Sequence, residues 1–248
     1  MIYLFILTVI LCLHHGVHGS AHFSIDPECS DAEPGCFGWV ARNHSSACAS
    51  DEDVQRNCRR SCHLCGPEEI EPKFDLRNVP PKLTPVAFLI GKWRSEFGGK
   101  AFFPTIPKFT YGEQIEFSIS DVVEGRLPTL NYTAFAWDPN KDEELHAENG
   151  YLVVNHTDPE SLPEVELTTA MSNGFMTVEQ GEVLESNQIS FRLRRIGRIS
   201  FSHDSAVRVM YREWTLLDPY HLEARLRMAT PIIKLMEHTA IVYKRIYP

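Results

Sequence analysis

Seven cysteines, a histidine near the C-terminus and three Asn-x-Ser/Thr triplets are the residues of this 248-residue chain whose types and spacing suggest chemistry. Six cysteines fall together: Cys29, Cys36, Cys48, Cys58, Cys62 and Cys65. The ending Cys58-x3-Cys62-x2-Cys65 suits either zinc thiolates or disulfides, and the compartment decides between them. The chain begins MIYLFILTVILCLHHGVHG, an apolar stretch closing on small residues, which reads as a secretory signal peptide over residues 1–19. Its removal takes Cys12 and leaves an even cysteine count in an exported chain, so disulfides are expected. For the same reason the sequons at Asn43, Asn131 and Asn155 are expected glycosylation sites.

His238 is the candidate ligand in the rest of the chain. If Glu237 to Arg245 is a strand, His238, Ala240 and Val242 share one face and the imidazole points inward beside a small residue. A lone strand histidine is more often a hydrogen-bonded core residue than a ligand, by a factor of roughly five. No Ser-His-Asp set and no paired acids at recognisable spacing suggest another enzyme chemistry. A net charge of -9 argues against nucleic acid as a partner. Beyond Ile70 no apolar run approaches the ~20 residues that cross a bilayer, so no membrane span is expected.

The elements that must position these residues are mostly strands. Apolar Leu222, Ala224, Leu226 and Met228 alternate with Glu223, Arg225 and Arg227; Gln114–Ile119 and Ile189–Arg194 alternate likewise. Turn signals at Asp138-Pro-Asn140, Asp158-Pro159, Ser172-Asn-Gly174 and Asp218-Pro219 separate such runs. Thr84 to Ile90 invites a short helix, with Pro85 in its first turn and Gly91 beyond its end. The predicted class is mainly β, a barrel or a sandwich, over residues 82–248. Residues 66–81, rich in Pro and acids, read as an extended linker from a cysteine-rich module at 29–65 that has too few apolar residues to form a core unaided.

Two resemblances sharpen this reading. The cysteine spacing resembles the ShK-toxin domain, which implies the bridges Cys29–Cys65, Cys36–Cys58 and Cys48–Cys62. Channel-blocking members carry a Lys-Tyr pair where this chain has Glu52 and Asp53. A carboxylate cannot imitate a permeant cation in a pore, so an interaction or stability role is expected instead of channel block.

The second domain resembles the nitrobindins across nearly its whole length. Phe88-Leu-Ile-Gly-Lys-Trp93, Phe103-Pro-Thr-Ile106, Tyr111-Gly-Glu-Gln-Ile-Glu-Phe117, Leu145-His-Ala-Glu-Asn-Gly-Tyr151, Gly174-Phe-Met-Thr-Val-Glu-Gln-Gly181 and Met228-Ala-Thr230 followed by His238 occur in that family's order. The resemblance implies a ten-stranded antiparallel barrel holding one ferric haem b through His238. It implies binding of nitric oxide and isomerisation of peroxynitrite to nitrate. It places His146 opposite the axial ligand, although a surface histidine near a turn is an equally weighted alternative. Pro104 and Thr105 match the stretch along the haem edge, with Tyr111 and Met171 as further pocket walls. Between Trp93 and Phe103 this chain is longer and less glycine-rich than the family, so Phe97 or the extra residues are expected to narrow the entrance. Rival expectations are a haem-free carrier of a lipid and an extracellular protein that docks a partner through its cysteine module.

Overall fold

The computed structural model describes residues 31–33, 35–42, 46–62, 64, 70–104, 106–121, 127–141, 143–155, 160–184, 187–201 and 206–248. The expected leader, Cys29, Cys65, Asn43, Thr105 and the Asp158-Pro159 turn lie outside them.

Ten antiparallel strands close into a barrel: β1 Gly91–Ala101, β2 Phe109–Ile119, β3 Thr129–Asp138, β4 Glu143–Asn155, β5 Glu164–Met171, β6 Phe175–Leu184, β7 Gln188–Arg198, β8 Val209–Asp218, β9 His221–Ala229 and β10 Met236–Tyr247. Each pairs with its neighbour in sequence, and β10 returns to β1, which leaves no sheet edge at the seam. The three alternating runs lie in β2, β7 and β9. The Asp138, Ser172 and Asp218 turns join β3 to β4, β5 to β6 and β8 to β9. Closure needs every strand, and periodicity within single strands does not reveal it.

One end of the barrel is plugged. Pro81–Leu89 forms a 3-10 helix, longer and tighter than the helix expected over Thr84–Ile90. It buries Leu83, Val86, Ala87, Phe88 and Leu89. Gly91 turns the chain out of it into β1 at φ +134°, where a Cβ would stand 2.6 Å from the carbonyl oxygen of Tyr247. Trp93 donates its indole N–H to Leu89 O at 2.7 Å. Arg245 reaches back from β10, donating to Ile90 O and Phe88 O at 3.0 Å each, with its guanidinium 4.0 Å from the Trp93 ring centre.

The cysteine module packs at this same end. Helices α1 Cys36–Arg42, α2 Ser46–Ser50 and α3 Glu52–Asn57 are tied by disulfides Cys36–Cys58 and Cys48–Cys62. Asp51 caps α3 by accepting from the amides of Asp53 and Val54 at 3.0 and 3.2 Å. Cys36, Val40, Cys58 and Cys62 are buried in a cluster continuous with the barrel core. In the stretch that reads as a linker, Phe74, Leu76 and Val79 are buried between the two, and the Tyr247 hydroxyl of β10 accepts from Glu71 N at 2.8 Å. No helix among the described residues is long and apolar enough to cross a membrane.

Candidate haem-binding cavity

At the opposite end, where the hairpins joining β1–β2, β3–β4, β5–β6, β7–β8 and β9–β10 lie, the barrel opens into a cavity of about 690 Å³. That is a normal size for a cofactor-sized ligand. The rim is apolar, with Phe103, Ile106, Phe109, Leu145, Ile196 and Ile232. Of the expected site residues, His238, His146, Tyr111, Met171 and Pro104 all line this cavity.

His238 reaches it by a route that simple alternation misses. The residues of β10 that face inward are Ile241, Tyr243 and Arg245, whereas Val242 is 41% exposed and Ala240 does not line the cavity. On that phase His238 would point outward. However, Glu237 pairs with Arg227 and Thr239 with the next residue of β9, Leu226, so His238 is the extra residue of a β-bulge. The bulge shifts the phase and turns the ring in, leaving it 3% exposed beside cavity-lining Thr239. The expected shared face of His238, Ala240 and Val242 is therefore corrected: the histidine faces inward and Val242 does not.

The imidazole is also oriented. Nδ1 stands 3.0 Å from the carbonyl oxygen of Met236, and Phe103 packs edge-on with ring centres 5.5 Å apart. A carbonyl only accepts, so in the neutral ring Nδ1 carries the proton and Nε2 keeps the lone pair that binds metal. An imidazole fixed in this tautomer, in a roomy cavity with an apolar rim, fits ligation of a haem iron. Tyr111 is accommodated because Gly99 on β1 lacks a Cβ, which would stand 2.7 Å from the tyrosine ring. Phe97 does not narrow the entrance. It is 67% exposed and absent from the lining, because the extra residues between Ser95 and Gly99 are taken up as a bulge in β1.

The floor carries a charged network. Arg212 of β8 lies 3.0 Å from Glu179 and 3.1 Å from Glu148, and donates to Tyr132 OH at 3.3 Å. Tyr132 donates to Glu148 at 3.1 Å, and His146 Nε2 meets the same carboxylate at 3.1 Å. Thr177 donates to Glu179 at 2.9 Å, and Tyr243 donates to Glu113 at 2.6 Å. Burial opposes charge on Glu148, but Arg212 and His146 outweigh it and hold the carboxyl down at about 2. Glu113 is in the reverse position: burial pushes it up to about 7, against the Tyr243 hydrogen bond. Burial opposes protonation of His146, yet its hydrogen bond to Glu148 and the nearby carboxylates raise its pKa.

Sequence reasoning missed this network. Its signal was charge in the inward phase: Glu179 shares that phase with Phe175 and Thr177, and Arg212 shares it with Met210 and Trp214.

Residues 82–245 match the family model described as the THAP4-like, heme-binding beta-barrel domain. The chain belongs to this family. A protein of Caenorhabditis elegans described as uncharacterized protein C28H8.5 is 56% identical over 90% of this chain and 75% of its own. Peroxynitrite isomerase THAP4 of Bos taurus is 32% identical over 68% of this chain, which spans only 28% of the bovine protein. A peroxynitrite isomerase of Arabidopsis thaliana is 30% identical over 68% of this chain and 91% of its own. The crystal structure of Rv2717c from M. tuberculosis superposes with a TM-score of 0.55 at 28% identity, covering 67% of this chain and 98% of that one. The family barrel thus accounts for the strands and the cavity, and the cysteine module lies outside the matched residues.

Proposed function

We propose that this protein is a secreted haem protein in which His238 holds one ferric haem b, and that it binds nitric oxide and isomerises peroxynitrite to nitrate. The observation that carries the proposal is the bulge-turned His238, whose Nδ1 is held by Met236 O and whose ring lines a cavity with an apolar rim. The names of the bovine and Arabidopsis relatives supply the reaction. When bound, a haem held by His238 would supply the iron chemistry of the isomerisation, and nitrate is an isomer of peroxynitrite, so no co-reactant is needed. The protein's part is to orient the His238 imidazole that would hold the group, exclude bulk water with the Phe103, Phe109 and Ile106 rim, and keep His146 at the far wall. Counted round the barrel, β4 is four strands from β10 one way and six the other, so His146 stands nearly opposite His238.

A fatty-acid carrier is disfavoured by the floor, because Arg212 already faces the carboxylates of Glu148 and Glu179. Export, by removal of residues 1–19, suits the paired cysteines. The ShK-like module, with Cys29–Cys65 as its third bridge, serves as a stability or docking element, and glycans at Asn43, Asn131 and Asn155 accompany export. Asn131 and Asn155 both lie on strands, and Asn155 is exposed at the end of β4.

The test is hemin titration of the purified protein and of His238→Ala, read by absorption. A Soret band that His238→Ala shifts or abolishes is expected; an identical band in both proteins overturns the axial assignment.

A further inference from the structure

Two of the tips at the mouth stand side by side, because β10 pairs with β1: Ala101 faces Thr239, and Phe102 N donates to His238 O at 2.8 Å. The β1–β2 tip reads Phe102-Phe-Pro-Thr-Ile-Pro-Lys108, and the β9–β10 tip reads Thr230-Pro-Ile-Ile-Lys-Leu235. Each carries one lysine and no acidic residue, in a chain of net charge -9. Ile232 is 81% exposed, and Ile106, Phe109, Leu235 and Met236 also show their side chains to solvent. A contiguous apolar patch of this kind marks a contact surface.

The backbone of these tips is satisfied from within. Thr230 N donates to Ile233 O at 3.0 Å, and the Thr230 hydroxyl oxygen accepts from Ile232 N and Ile233 N at 3.4 and 3.2 Å. In the β1–β2 tip Pro104 and Pro107 have no amide hydrogen, and Ile106 N donates to Phe103 O at 3.4 Å. These groups need no water, so the tips can enter hydrocarbon without stranding them. The lysines suit a surface of opposite charge. Lys108 Nζ lies 5.3 Å from the centre of the Phe102 ring, and Lys234 is exposed between Ile233 and Leu235. The first acid beyond the β9–β10 tip, Glu237, is paired with Arg225 at 3.0 Å. Asp138, Glu143 and Glu144 stand at the neighbouring β3–β4 tip, which confines the patch to one sector of the mouth.

We propose that the β1–β2 and β9–β10 tips dock this protein obliquely on a lipid surface that carries anionic headgroups. Ile232, Leu235 and Ile106 enter the hydrocarbon, and Lys108 and Lys234 meet the phosphates. The acids of the β3–β4 tip hold that side of the mouth away. A second copy meeting patch on patch brings lysine against lysine and supplies no anion, so self-association fits less well. Docking sets the cavity mouth against the bilayer, from which an apolar ligand enters without crossing water. None of this depends on haem.

The test uses the haem-free protein and vesicles of phosphatidylcholine, with or without one-quarter phosphatidylserine, separated by flotation. Binding to the mixed vesicles is expected, weakening in high salt. Ile232→Asp/Leu235→Asp is expected to lower partitioning at least about tenfold, and Lys108→Glu/Lys234→Glu to remove the preference for phosphatidylserine. Thermal melts of these variants check that the fold is retained. Ile232→Trp adds emission that is expected to shift to shorter wavelength on vesicles and to be quenched by brominated lipid, whereas the emission added by Leu217→Trp, exposed at the plugged end, does neither. No flotation, undiminished flotation of Ile232→Asp/Leu235→Asp, a retained phosphatidylserine preference in the lysine variant, or equal quenching at the two tryptophan sites overturns the proposal. Concentration-dependent dimers that the same substitutions dissolve, without flotation, also overturn it and assign the patch to a second copy. Absence of a Soret band after hemin addition sinks the haem reading alone, because flotation still decides the docking.

Discussion

The two ends of the barrel each bury an arginine and use it differently. At the plugged end Arg245 donates to Phe88 O and Ile90 O and lies over Trp93; burial there draws its pKa down to about 9. In the cavity Arg212 faces Glu148 and Glu179, and their charges raise its pKa against the cost of burial. The first guanidinium is a backbone cap that ties β10 to the 3-10 helix. The second fixes a charge pattern on the cavity floor, and its removal strands two carboxylates.

That difference predicts unequal costs. Arg212→Leu leaves Glu148 and Glu179 buried without their cation and should destabilise the fold by about 3–5 kcal/mol, read by denaturant unfolding. A loss below about 1 kcal/mol would mean that the floor is hydrated enough to hold both charges. Next in size is the pH dependence set by Glu113. An unfolded glutamate titrates at 4.5, and folded Glu113 at about 7, so the folded chain binds the extra proton between these values. Stability must therefore fall as pH rises through that window, by about 3 kcal/mol for this one group. His146, raised above 6.5, adds a loss of the same sign at the upper end, whereas Glu148, held at about 2, acts only below 4.5. Glu113→Gln should flatten the fall between pH 4.5 and 6.5; an unchanged slope in thermal melts would assign it elsewhere.

Arg245→Leu removes the hydrogen bonds to the carbonyls of Phe88, Ile90 and Pro248 and a stacked cation while keeping an apolar stem, and should cost about 2 kcal/mol without changing hemin affinity. Impaired hemin binding would show that the plugged end is coupled to the mouth. Phe97→Ser is the smallest change, within about 0.5 kcal/mol in stability, because the ring faces solvent. Its effect on hemin affinity should stay under about twofold by titration.

The cavity lining was legible where family motifs pass through it. His238, His146, Tyr111, Met171 and Pro104 all line the cavity. The floor was less legible: Glu148 and Glu179 sit inside motifs that were recognised, yet no short-range spacing joins them to Arg212, which lies 33 residues from Glu179 and 64 from Glu148. Phe97 was misread because a longer run between fixed ends can either fill a cavity or bulge outward, and only the pairing of β1 with its neighbours selects the bulge.

By itself the sequence determined that the second domain is built of strands, because period-two alternation and turn residues act locally, and it marked His238 through the order of the motifs around it. The tertiary structure alone decided which way His238 faces, since a bulge is defined by the register between β9 and β10 and leaves no period of its own in β10. It also decided that the cysteine module shares a core with the plugged end. That depends on contacts between residues far apart in the chain, which local propensities do not encode.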